Sequence, residues 1–404
     1  MASATIPFLD NLTDTTPRSQ CVKQIVSVIP APRLLPAVHG LRGLAATSVV
    51  LFHLHHLNNL ALPGELSFIG THFGLGVQLF FVLSAFSLFY STTPSIGKSG
   101  WARDYFFKRF FRIAPLFYVM LVAWTALFYS RQAPPPKLDL LLNLVFAYNF
   151  VPGKHESIVA AGWTIGVEMV LYAILPVLFL TLTRLRSAVI FFFFAVTVSL
   201  IARVALLRMG GAVGQYAHFA FITSLGVFAA GILAFFAYRA LGRSPSDRTC
   251  GAPLSAVNWG LVAVVVALFV GLASPLGAVL LSAGRADILV WALLFGVVLV
   301  WQALFPLRPL ASNAMEFVGE RSYSIYLLHP MMIFWLTPVN QRLYAEVESF
   351  IGAWAFLACA ALTLAVVIGG AALTYRIVEV PGINLGRILI AGARRREAPA
   401  LRAP

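Results

Sequence analysis

Long apolar runs separated by short polar stretches set the pattern of this chain. A membrane span needs about 20 mainly apolar residues. About ten runs qualify, centred on residues 38–57, 70–90, 110–130, 162–183, 187–207, 216–239, 256–275, 286–305, 322–338 and 351–374. The predicted fold is all-α: a polytopic bundle of about ten transmembrane helices. The longest loop predicted outside runs from about 131 to 161 and opens with the stiff "APPPK". Within it "LDLLLNLVFAYNF" is apolar but too short to span, and either lies at the interface or re-enters the bundle.

The pattern also divides the chain. Residues 1–35 read as a polar, disordered cytoplasmic tail, 36–390 as one membrane domain and 391–404 as a basic cytoplasmic tail. The beginning of the chain has no basic stretch followed by an apolar one, so no cleavable signal peptide is expected.

Composition agrees with the pattern. Of 404 residues, 60% are hydrophobic and 11% charged, with a mean hydropathy of +0.86. A soluble domain is about 45–50% apolar and about 25% charged, so a single water-soluble core is excluded. The net charge of +14 comes from 29 Lys and Arg against 15 Asp and Glu. In a soluble chain that would suggest nucleic acid; here an excess of basic residues in cytoplasmic loops accounts for it, and no nucleic-acid partner is expected. With the N-terminus inside, only Arg131, Lys137, Lys154, Arg203, Arg208, Arg285 and Arg342 of the 29 fall outside. Both termini are therefore expected in the cytoplasm. Cys21, Cys250 and Cys359 form no spaced set, so no disulfide framework or metal site is expected.

Polar residues inside apolar runs need a reason to be there. In "HGLRGLAATSVVLFHLHH", Arg42 and His53 are eleven positions apart. On a helix that is about 20° of rotation and about 16 Å of rise, so they share one face. Arg42 is either an interfacial anchor or a functional cation, and His53 is either an interhelical hydrogen-bonding group or a base for a hydroxyl proton. In "FFKRFFRIAPLFYV", Lys108, Arg109 and Arg112 stand at the cytoplasmic start of the third span, as topology anchors or as a phosphate site. Glu168 in "GWTIGVEMVLYAILP" stands about one turn inside the outer end of the fourth span, where a carboxylate needs a partner or a polar cavity. "SYSIYLLHP" places Tyr323, Tyr326 and His329 on the ninth span, with Pro330 suited to a kink beside a polar cavity. Ser84 and Ser87 in "FFVLSAFSLFYS" suit close helix packing. The sequence has no Walker motif, HExxH helix or GxSxG elbow.

In order along the chain, these pieces resemble acyltransferase family 3, a family of integral-membrane O-acyltransferases. "GLRGLAATSVVLFH" is similar to its first-span arginine–histidine motif, and "FFVLSAFSLFYS" and "KRFFRIAPLFYV" to its second- and third-span patterns. "WTIGVEMVLYAILP", "ERSYSIYLLHP" and "YRIVEVPG" are similar to its later Trp–Glu, Tyr–His and closing Glu-x-Pro segments. The resemblance covers about residues 36 to 390. The sequence departs at His39, Ala85, Thr164 and Met169, where the family often has Asp, Gly, Ser and a second acid.

The resemblance implies transfer of an acyl group, often acetyl, from cytoplasmic acyl-CoA to a hydroxyl of a surface polysaccharide, another carbohydrate or a secreted metabolite. On that expectation His53 is the general base, and Arg42 contacts the donor or the developing charge. Glu168 orients His53 or an acceptor hydroxyl, while Arg109 and Arg112, with Lys108, hold CoA phosphates. Trp163, Tyr323, Tyr326 and His329 line the substrate pocket. Acyl-CoA is a substrate in this reading, with no permanently bound cofactor and no metal; the other partners are the hydroxyl acceptor and the lipid bilayer. The expected location is a bacterial inner membrane. The competing class is a proton-coupled transporter, which intramembrane His, Arg and Glu would also suit.

Overall fold

The computed structural model describes residues 35–242, Val266 and 287–400, without side chains at 287 and 396–400. The expected tail at 1–34, the expected span at 256–275 apart from Val266, and Cys21 and Cys250 lie outside the described residues. All regular structure among the described residues is helical.

Helix α1, Pro36–Asn58, begins with proline in its first turn, where a missing N–H costs nothing. It ends at Asn59, whose φ of 52° lets its N–H reach the His55 carbonyl. Short turns from Gly64 lead into α2, Gly76–Thr92, followed by α3, Trp101–Ser130, and the short α4, Lys137–Leu144. Then come α5, Trp163–Thr181, α6, Leu185–Met209, and α7, Phe221–Leu241. Beyond the undescribed stretch lie α8, Asp287–Leu304, the short α9, Asn313–Glu320, and α10, Ser322–Ile351. Helix α11, Phe356–Thr374, runs through a wider π turn, Tyr375–Glu379, into α12, Val380–Ala400.

Seven helical stretches among the described residues are long and apolar enough to cross a membrane. The last of them, Ser322–Arg395, holds α10, α11 and most of α12, while α8 is apolar but shorter than the others. The protein is a multi-pass membrane protein, and seven rather than about ten such stretches are seen among the described residues.

Glycines bring the first helix into its place. A methyl group on Gly319 of α9 would strike the His39 carbonyl of α1, and one on Gly40 would strike the Leu310 carbonyl. The backbones therefore touch, which is how small residues join helices where lipid gives no hydrophobic drive. This contact sets the start of α10 beside Arg42. A Gly319→Ala variant is expected to lose about 1–3 kcal/mol of stability or more, read as a lower melting temperature in detergent. An unchanged melting temperature would contradict the close approach.

Contacts at increasing residue numbers show that α1 and α10 run parallel. Arg42 meets Ser322, His53 meets His329, and Asn58 meets Thr337 and Asn340. Helix α11 returns antiparallel along α10, with Cys359 donating to the Asn340 carbonyl and Glu379 meeting Ser324. Helix α12 lies antiparallel on α3: Gly382 faces Pro115, Gly386 faces Phe111, and Arg394 Nε donates to Asp104 at 2.9 Å. The boundary expected at residue 391 thus falls inside a helix that is tied down by its arginine.

Two expected placements change. Helix α3 starts at Trp101 rather than near 110, so Lys108, Arg109 and Arg112 sit two to three turns inside it, not at its start. The stretch "WARDYFFK" is polar enough to fall outside a hydropathy window, yet nothing in it breaks a helix.

The second change concerns the long loop. Phe146 packs on Phe117 with ring centroids 4.7 Å apart, and Tyr118 donates to the Leu144 carbonyl at 2.8 Å. Both partners lie near the middle of α3, so the loop re-enters the bundle. Tyr148 is fully buried, donates to the Gly162 carbonyl at 2.7 Å and fills the space above Gly166. Helix α5 therefore begins deep in the fold, and Glu168, about one turn inside its beginning as expected, lies level with Arg42.

Candidate active site

The polar residues gather in two places along α1. The lower one surrounds a cavity lined by Arg42, Val77, Phe80, Phe81, Thr164, Ile165, Glu168, Ser322, Tyr323 and Tyr326. Its room is about 50 Å³, several times the about 10–15 Å³ that one water needs. Four helices, α1, α2, α5 and α10, contribute, and the α1–α9 glycine contact and the re-entrant loop are what bring them to one level.

Arg42 donates from Nε to the Ser322 hydroxyl at 3.4 Å, a long bond that leaves most of the guanidinium uncommitted. Glu168 accepts from the Tyr172 hydroxyl at 3.0 Å, one helical turn along, and from the Ser84 hydroxyl. Tyr172 is held in turn by Tyr105, whose hydroxyl donates to the Tyr172 carbonyl at 3.2 Å. The cations whose charge acts on Glu168 are Arg42 and Arg109. Arg109 Nε is buried without a hydrogen-bond partner. Ser84 thus does more than pack: it bonds the carboxylate.

Arg112 pairs with Glu379, Nη1 to Oε1 at 3.3 Å. The Glu379 side chain is 0% exposed and its other oxygen accepts from the Ser324 hydroxyl at 2.9 Å. Tyr323 donates to the Ile113 carbonyl at 2.7 Å, so α3 and α10 are joined at the same level. Lys108 is exposed and makes none of these contacts. The cluster holds Arg42, Arg109 and Arg112 against Glu168 and Glu379, an excess of one positive charge.

The upper place is about 16 Å along α1. There His53 Nδ1 lies 3.1 Å from His329 Nε2. His53 contacts the histidine of α10, not Glu168, so of the two roles expected for Glu168, orienting His53 has no contact behind it. Tyr326 links the two levels. Its ring is in the cavity wall and 5.6 Å from the His329 ring, and its hydroxyl donates to the Ala161 carbonyl at 3.3 Å. Ala161 has a φ of 62°, a left-handed conformation costly for a residue other than glycine. Trp163 stands behind the lining, edge-on to Phe81 and Phe219. In the loop above, burial of His155 beside Tyr216 and Phe219 holds its imidazole below the ordinary range.

Sequence reasoning named Arg42, Glu168, Tyr323 and Tyr326, and the structure brings them together. It gave no role to Glu379, although a carboxylate just after a long apolar run was the available signal. Among the described residues, no group of three or more His, Cys, Asp or Glu is arranged to hold a metal ion.

The family model described as an acyltransferase domain, of the acyltransferase 3 type, matches residues 35–370. The chain belongs to the acyltransferase 3 family. The chain is also 28% identical over 159 residues to a Bacillus subtilis (strain 168) protein named "Putative peptidoglycan O-acetyltransferase YrhL". That match covers 36% of this chain and only 23% of the relative's length. No solved structure matches the chain significantly.

Proposed function

We propose that this acyltransferase moves an acetyl group from acetyl-CoA to a hydroxyl of a carbohydrate, a surface polysaccharide or a secreted metabolite. The observation that carries the reading is the cavity between Arg42 and Glu168, small and backed by excess positive charge. The O-acetyltransferase name of the Bacillus subtilis relative supports the acetyl group and the hydroxyl acceptor. Further support for the topology comes from the basic residues: about ten spans with both termini in the cytoplasm, in a bacterial inner membrane.

An alcohol is a weak nucleophile, so transfer needs a base and positive charge near the carbonyl. His53 Nε2 takes the acceptor's proton. The oxygen lone pair forms the new C–O bond, the C–S bond breaks, and the thiolate of CoA leaves and recovers a proton from His53. Arg42, about 16 Å along α1 from His53, steadies charge on the donor. Arg109, whose Nε has no partner, holds a CoA phosphate; Arg112 is committed to Glu379 and contributes mainly field. Glu168 orients a hydroxyl or Arg42.

The test compares cells with and without the gene by mass spectrometry of surface glycans and secreted metabolites. Loss of an O-acetyl ester on deletion is expected. Complementation with Arg109→Ala should restore it only partly, with weaker binding of acetyl-CoA that varies less with salt than in the wild type. If esters are unchanged and a solute's uptake is lost, the protein is acting as a transporter and the reading fails.

A further inference from the structure

The two histidines fix each other's hydrogens. His53 Nδ1 stands 3.0 Å from the Val49 carbonyl oxygen, and a carbonyl can only accept. Nδ1 of His53 therefore carries the hydrogen. His329 Nδ1 stands 2.6 Å from the Tyr326 carbonyl, so the same reasoning places a hydrogen there. In each neutral ring the bare lone pair is then on Nε2. The lone pair of His329 faces His53 Nδ1–H at 3.1 Å, so that hydrogen is shared between the ring and the Val49 carbonyl. Among the described residues, the lone pair of His53 Nε2 meets no protein donor.

The sequence explains why His329 is held this way. In a helix the Tyr326 carbonyl would accept from the N–H four residues on. That residue is Pro330, inside α10, and it has no N–H. The carbonyl is left open, and His329, the residue before the proline, takes it. His329 is fully buried, which keeps its ring on these partners and away from bulk water. The ring is anchored at one nitrogen and offers the other.

We propose that His329 is a positioning residue for His53. With the Val49 carbonyl, it locks His53 in the Nδ1–H form and leaves Nε2 bare for the acceptor hydroxyl. When Nε2 takes that proton, His329 accepts from the Nδ1–H of the resulting imidazolium. A carboxylate has this duty in many hydrolases; here a neutral imidazole and a carbonyl share it. The proposal rests on the reading of His53 as the base.

Two measurements test it. The first is 15N NMR of the full-length protein in lipid with labelled histidine, the His53 signals being assigned by their loss in His53→Ala. A bare Nε2 and a protonated Nδ1 are expected, with a mixture of tautomers in His329→Ala. Hydrogen on Nε2 in the wild type would overturn the proposal even if no His329 variant folds. The second is kinetic. His329→Ala should lower kcat on the order of ten- to a hundredfold, the usual effect of losing a group that orients a functional histidine. KM for acetyl-CoA should stay unchanged, because the arginines are elsewhere. His329→Gln, whose side-chain oxygen can accept from His53, should recover most of kcat. Full kcat in His329→Ala, or no rescue by a folded His329→Gln, would overturn the proposal. Full activity in His53→Ala would instead remove the base itself, a different failure from a wrong tautomer.

Discussion

A His53→Ala variant should insert and fold as the wild type does, yet lose acyl transfer by about a hundred- to ten-thousandfold. That range is what a positioned general base contributes. Folding should survive because His53 is only partly buried and its contacts are the His329 ring and, on its own helix, the Phe52 ring and one carbonyl. Loss of the ring leaves α1 held by its glycine contacts to α9 and by Asn58 at its far end. The measurement is transfer from radiolabelled acetyl-CoA in liposomes, with the melting temperature as the control. Binding of acetyl-CoA should be unaffected, since Arg42 and Arg109 remain about three turns away. Wild-type transfer by the folded variant would end His53's candidacy. A loss confined to donor binding would move it to the donor site.

The second large effect concerns stability. Glu379→Ala removes a carboxylate that is wholly buried and leaves Arg112 facing the site without a partner. Breaking one side of a buried pair costs about 3–5 kcal/mol, chiefly through the charge left behind. Arg112 is 29% exposed and part of that charge can be hydrated, so a loss near the lower end, about 3 kcal/mol, is expected. Arg112→Ala should cost at least as much, because Glu379 has no access to water. The double variant should be more stable than the sum of the single losses predicts, as residues in direct contact are not additive. Melting in detergent gives all three values. Strict additivity would mean that the pair does not hold the π turn before α12 to α3.

Hydropathy made much of the helical architecture readable. Runs of apolar residues are the direct cause of spanning helices, and several fell within a few residues of the observed ones. The ends were less legible: α3 extends well before its apolar run and α10 well beyond it, because helix formation does not stop where hydropathy does. Arg42 and His53 were legible as a pair because their spacing is local. Their partners were not. Arg112 with Glu379, and His53 with His329, depend on which helices pack together, and in lipid both faces of a helix are apolar, so little periodicity marks the packed one. The depth of Glu168 was hidden for another reason. It follows from a loop that turns inward using positive φ at Phe146, Gly153, Ser157 and Ala161, only one of them a glycine that could have advertised the turn.

The parallel course of α1 and α10 separates the arginines from the histidine pair by about 16 Å, over half of the roughly 30 Å of a bilayer's hydrocarbon. A donor gripped by its phosphates near the arginines can offer its thioester to His53 only on an extended arm. On the proposed chemistry the acyl group therefore travels while still attached to its carrier, and changes owner part-way through the membrane. On that chemistry the transfer would be vectorial group translocation: the reach of the thioester arm would cover distance that a transporter covers by rocking its helices.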